Sequence, residues 1–288
     1  MEGFQRIAVF CPASPIDSKS LEIGISVLQD LGFSVRNFVS NEKLSPFERA
    51  YIFSELFTSG EFHALWAARG GFGSIELLPY LDELLKKPPV LTPLVIGFSD
   101  VTVLQIYLFS RFKLWSLHAP VLSLLNDTDP CAVFALKQVL KSRDRKIFLK
   151  GKPYSYGSLD STVLVANLTS FASLCGTPYM PKDPVVLALE DTNESFYRLK
   201  RSFIQVLLSF GEKIKGLILG DLGEVSGLKL IESTLDFIPE GIPIGYDFPF
   251  GHGKRNFPVF SGVKSQLKIT PYEASLYQNI EPTRSRVV

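Results

Sequence analysis

Short apolar runs alternate with helix-patterned stretches through the first 120 residues, and few architectures accept that rhythm. RIAVFCPAS (6–14) ends in Pro, Ala and Ser, as a buried parallel strand does before its loop. The next stretch, SKSLEIGISVLQDL, places Leu21, Ile25, Leu28 and Leu31 on one helical face and stops at Gly32. FSVRNFV reads as a second strand, followed by a polar loop and a helix at about 46–58. HALWAAR (63–69) is a third strand, broken by RGGFGS. Ile75 to Leu85 is helical, PLVIGF (93–98) is a fourth strand, and Val101 to Phe112 is the next helix. Strands that alternate with helices predict a doubly wound, Rossmann-like α/β domain whose sheet is mainly parallel. Its ligand crevice is expected outside the carboxyl ends of the strands.

The rhythm breaks over 121–160, where a helix at about 130–142 leads to the basic stretch KSRDRKIFLKGK and then to GKPYSYGS. This reads as an interdomain connection with a solvated basic face. Beyond it, STVLVANLTSFASL, VVLALE (185–190), a helix at 195–210, KGLILGDL (215–222), a helix near 230–237 and IPIGYDF (242–248) form a second, smaller α/β unit. SQLKIT (265–270) reads as an edge strand, and EPTRSRVV as a frayed tail. The expected division is an N-terminal domain over 1–125, a connection over 126–160, a C-terminal domain over 161–275 and a tail over 276–288.

A net charge of +1 argues against nucleic acid as a partner, because phosphate binding needs concentrated Lys and Arg. The three cysteines, Cys11, Cys131 and Cys175, have no CxxC spacing, so neither a disulfide framework nor a zinc ribbon is supported. MEGFQRIAVF has no basic region leading into an apolar one, and no apolar run is long enough to span a bilayer. The expectation is a cytoplasmic protein with no membrane partner.

Three segments carry candidate chemistry: IGFSD around Ser99, LALEDTNE around Glu190 and FGHGKR around His252. A serine, a carboxylate and a histidine, each at the end of a strand-like run, are the groups that nucleophilic amide cleavage requires. Ser99 lies where a strand gives way to a helix, as at a nucleophile elbow, although Val101 stands where G-x-S-x-G has its last glycine. Taken alone, the serine reads first as a plain helix N-cap. Gly70, Gly71 and Gly73 follow the third strand, not the first, so they are not a dinucleotide fingerprint. They form either a simple turn or, with the N–H groups of Gly71 and Asp100, an oxyanion hole. Arg69 and Gly70 are candidate substrate contacts, with burial against the sheet as the alternative for Arg69.

Glu190 at the end of a buried strand needs a cationic or imidazole partner. Asp191 and Glu194 after it are explained by the start of the next helix. Of the three histidines, His252 sits between two glycines, free to turn into a cleft, whereas His63 and His118 read as core or edge residues. Cys11 is a possible thiol nucleophile, with inert packing the alternative.

Taken together, RGGFGSIELLPYLD (69–82), GFSDVTVL (97–104), NLTSFASLCGTPYMP (167–181), LEDTNESFYRLKR (189–201) and GYDFPFGH (245–252) resemble the LD-carboxypeptidase family, the muramoyltetrapeptide carboxypeptidases, over roughly 6–270. The resemblance implies a Ser-Glu-His triad at Ser99, Glu190 and His252, with the serine in one domain and its partners in the other. It implies no metal and no cofactor, a cytoplasmic homodimer, and a murein tetrapeptide substrate that loses its terminal D-alanine in peptidoglycan recycling. A branch of the family that inactivates a peptide-nucleotide antibiotic is one alternative, and a non-catalytic muropeptide-binding protein is another. Val165 and Ala166 stand where the family often has two glycines, and Lys200 replaces a common acidic residue. Both departures bear on the substrate-side wall and neither on the triad.

Overall fold

The structure, a computed structural model, describes residues 5–40, 42–142 and 145–280. In the first half, β1 (Arg6–Phe10), α1 (Ser18–Asp30), β2 (Ser34–Asn37), α2 (Pro46–Thr58), β3 (Ala64–Ala67), α3 (Leu78–Leu84), β4 (Leu94–Gly97), α4 (Thr102–Phe112) and β5 (Ser116–His118) follow in strict alternation. Local signals set the helix starts. The Asp17 side chain accepts from Ser20 N–H ahead of α1, and Ser45 and Glu48 form a reciprocal capping box around Pro46 in α2.

The five strands pair in parallel in the order β5-β4-β3-β1-β2. Both faces of β1, β3, β4 and β5 are buried, which is why those strands read as unbroken apolar runs, whereas the edge strand β2 is largely exposed. Ala8 and Phe10 of β1 enter one core, while Ile7 and Val9 enter the other. The doubly wound expectation holds.

After α5 (Pro130–Lys141) the chain builds a second unit. It comprises β6 (Arg145–Ser155), β7 (Gly157–Asn167), α6 (Leu168–Ala172), β8 (Val185–Glu190), α7 (Phe196–Phe210), β9 (Ile214–Leu219), α8 (Gly227–Glu232), β10 (Ile244–Tyr246), β11 (Val259–Ser261), β12 (Val263–Ile269) and β13 (Ala274–Ile280). β11 leaves this unit and joins the first sheet, antiparallel to β5. The remaining strands close into a barrel in the order β10-β6-β13-β12-β7-β8-β9. Its β7-β8-β9-β10 arc is parallel, and its β10-β6-β13-β12-β7 arc is antiparallel.

Three sequence expectations need correction. The segment assigned to an interdomain connection (126–160) contributes β6 and the start of β7 to the barrel. β6 alternates exposed and buried positions, and its Lys and Gly content hides that period of two. The segment 265–270 is no edge strand: β12 lies between β7 and β13, and its alternation marks a strand solvated on one face. Residues 276–280 of the expected tail belong to β13, while EPTRSRVV lies outside the described residues. Among the described residues, no helix is long and apolar enough to cross a membrane.

Candidate active site

Ser99 stands just past the end of β4, and its backbone is in the left-handed region at φ 63°. A non-glycine residue there costs about 1–3 kcal/mol, a strain typical of functional turns. The N-cap alternative is not what the backbone adopts: Phe98 precedes the helical turn that begins at Ser99. Two glycines leave room around this turn. A Cβ on Gly97 would lie 2.9 Å from Val101 Cγ1. One on Gly70 would lie 2.9 Å from Ser99 Cβ and 3.0 Å from its Oγ. Gly70 is therefore clearance for the serine, a role that its position after β3 did not reveal.

The rest of that loop is tied from several sides. Gly71 has φ 103°, and the space beside it is taken by the Ser14 side chain, whose hydroxyl accepts from Phe72 N–H at 3.1 Å. The Asp100 carboxylate is buried and accepts from Ser74 N–H at 2.8 Å; burial raises its pKa against those bonds. Its side chain thus anchors the loop, while its backbone N lies near Gly70. Arg69 is exposed rather than buried against the sheet. Its Nη1 donates to Pro15 O at 2.9 Å, linking the loops that follow β1 and β3.

Glu190 ends β8 and is fully buried; His252 Nδ1 lies 2.6 Å from its Oε2. Burial pushes the Glu190 carboxyl above its ordinary range, with His252 opposing. For His252, burial favours the neutral ring. The Glu190 bond and charge, reinforced by Asp191 and Asp221, outweigh it and raise the imidazole above its usual value. Three carboxylates around one ring favour its charged form. Gly251, at φ 122°, lets the loop approach closely, since a Cβ there would meet Glu190 Cβ at 2.9 Å. The Nδ1 bond leaves Nε2 as the ring's open nitrogen.

Asp191 was assigned to the start of the next helix, but α7 begins only at Phe196 and has no acid in its first turn. Asp191 is buried instead, accepting from Asn167 Nδ2, Thr169 N, Thr169 Oγ1 and Thr192 N at 2.7–3.2 Å. It knots the ends of β7 and β8 and so fixes the strand end that carries Glu190. Asn167 caps α6 by accepting from Ser170 N. The N-L-T-S run signals that cap in the sequence; the carboxylate's inward turn leaves no such trace.

The two halves meet through aromatic rings. Phe98, adjacent to Ser99, lies 4.5 Å from the His252 ring, centroid to centroid. Cys11 Sγ donates to Ser14 O at 3.0 Å, and burial raises the thiol, which fits inert packing. His63 lies at the opposite end of the sheet, where its Nδ1 accepts from Gln5 and Arg6 N–H.

The comparisons with known proteins fall on this same arrangement. Residues 7–119 match the LD-carboxypeptidase N-terminal domain and residues 160–267 the LD-carboxypeptidase C-terminal domain. The chain belongs to the LD-carboxypeptidase family. It is accordingly a serine-type carboxypeptidase hydrolase. Within the family it is 28% identical to the murein tetrapeptide carboxypeptidase of Pseudomonas aeruginosa, over 87% of this chain and 89% of that one. The crystal structure of muramoyltetrapeptide carboxypeptidase from Oxalobacter formigenes superposes with a TM-score of 0.84 at 25% identity, covering 97% of this chain and all of the other. The microcin C7 self-immunity protein MccF of Escherichia coli is 24% identical over 84% of this chain and 83% of its own length.

Proposed function

We propose that this protein removes the terminal D-alanine from a murein tetrapeptide by attack of Ser99 at the L,D-amide bond. The observation that carries the reading is the 2.6 Å bond between His252 and buried Glu190, across an aromatic contact from the strained turn of Ser99. In this mechanism His252 Nε2 takes the Ser99 proton as Oγ attacks the carbonyl carbon. Glu190 accepts from Nδ1–H, holding the tautomer and stabilising the imidazolium. The N–H groups of Gly71 and Asp100 receive the oxyanion, each worth about 3 kcal/mol of barrier. His252 returns the proton to the leaving D-alanine amine, and water then releases the acyl group from Ser99.

The likeness to MccF keeps aminoacyl-nucleotides as the second substrate class. Against an indole platform for a base, Trp66 and Trp115 are both buried, and Trp66 Nε1 donates to Pro120 O at 3.0 Å. The reading extends to a cytoplasmic homodimer that acts in peptidoglycan recycling, and sedimentation of the purified protein checks the dimer. Incubation with L-Ala-γ-D-Glu-diaminopimelate-D-Ala, beside an aminoacyl-sulfamoyl nucleotide as competitor, tests the substrate. Release of D-alanine, detected by mass and little slowed by the nucleotide, is expected. No release from the peptide, with cleavage of an aminoacyl-phosphoramidate instead, would move the protein to the second class.

A further inference from the structure

His118 has no part in the chemistry above, yet its setting is unusual for a histidine. It ends β5, with its backbone paired to Gly97 of β4 on one side and to Val259 of β11 on the other. The side chain is fully buried, and neither ring nitrogen has a hydrogen-bond partner among the described residues. Buried polar groups without partners are costly, and an apolar side chain of similar shape avoids that cost. A histidine here is an expensive way to fill space.

Its neighbours give it a use. The imidazole meets Phe98 at 5.6 Å and 75° and Phe250 at 5.8 Å and 86°, both near-perpendicular ring contacts. Phe98 immediately precedes Ser99, and Phe250 is two residues before His252. Phe98 in turn packs at 4.5 Å on the His252 ring. In edge-to-face packing the positive edge of one ring meets the negative face of another, and polar N–H edges strengthen such contacts. One buried ring thus touches the arm of the nucleophile and the arm of the base, which come from different domains. Burial, with the His252 charge opposing a second cation, holds the His118 pKa down to about 3, so the ring is neutral while the enzyme works.

We propose that His118 is a positioning residue: through Phe98 and Phe250 it fixes the plane of the His252 ring relative to Ser99 and Glu190. This rests on the Ser99-Glu190-His252 reading, and its test is arranged to separate the two.

His118→Leu removes the polar edges while filling most of the volume. A mere packing role predicts unchanged catalysis. A positioning role predicts a thermal midpoint at or above that of the wild type, with kcat on the tetrapeptide about tenfold lower and KM within twofold. The second readout needs no substrate. With three histidines in the chain, ring-labelled protein gives an NMR spectrum in which His252 can be followed alone. Glu190, Asp191 and Asp221 are the carboxylates that raise its midpoint. In His118→Leu its ring signals should broaden and its titration midpoint should fall toward the ordinary value as the Glu190 bond loosens. His118→Phe keeps an aromatic edge and should show the same displacement, smaller, with kcat down about threefold; it carries the test if the leucine protein does not fold. An unchanged His252 spectrum, midpoint and kcat in both variants would overturn the proposal. A displaced His252 midpoint in a protein whose Ser99→Ala form remains active would leave the positioning intact and sink the triad reading instead.

Discussion

On the Ser99 side of the proposed site, backbone shape does the holding. Ser99 is strained at φ 63°, Gly70 leaves it room, and Asp100 and Ser14 pin the adjoining loop. On the His252 side, the proposed base arm, charge and hydrogen bonding do it. Glu190 bonds the imidazole, Asp191 gathers four donors at the neighbouring strand end, and Asp221 adds negative potential. The difference follows from the two folds. A parallel sheet ending in tight loops positions Ser99 mainly by sterics, with the Asp100 carboxylate as a titratable anchor of the adjoining loop. The carboxyl ends of the barrel strands collect carboxylates, whose hold depends on protonation. The two arms should therefore fail in different ways.

Glu190→Gln is the most severe way to break the base arm without moving atoms. It keeps the shape but loses the charge that sets the tautomer, and kcat should fall by about three to four orders of magnitude. The His252 titration midpoint should drop in the same protein, as ring NMR would show. A loss below tenfold would mean that Glu190 does not orient the base.

Gly70→Ala strikes the nucleophile arm through shape alone. The new methyl group would sit 2.9 Å from Ser99 Cβ. A displacement of this kind costs about 100-fold in kcat. The pH profile should keep its wild-type midpoint, and this separates the two arms. A profile that shifts along with the rate would mean that the arms are not independent.

The smallest effect is in the wild-type protein itself. In the proposed mechanism His252 must be neutral to accept the serine proton, and its folded pKa is raised. The acid limb of kcat/KM should therefore lie above the unperturbed histidine value of about 6.5, with activity rising as pH climbs through it. A limb below that value would mean that desolvation outweighs the carboxylates.

The parallel half was legible because its strands other than β2 are buried on both faces, and uninterrupted runs such as LVIG and ALWA admit few other readings. The barrel was legible only as α/β. Its closure depends on β10 and β13 both pairing with β6, contacts between distant segments that leave no local mark, and β6 resembles a basic linker in composition. Ser99, Glu190 and His252 stood out because each ends an apolar run and because histidine is scarce in the chain. Asp191 and His118 did not, since one resembled a helix-start acid and the other a core residue. Their importance lies in what they touch, which only the fold supplies.

The central claim is that Ser99 and His252, brought from separate domains, act as one nucleophile and base. Its most direct test is labelling with a fluorophosphonate, read by intact mass and peptide mapping on wild-type and His252→Ala proteins. A single adduct on the peptide bearing Ser99, formed about 100-fold more slowly without the histidine, is the predicted result. An adduct on another residue, or a rate indifferent to His252, would contradict it.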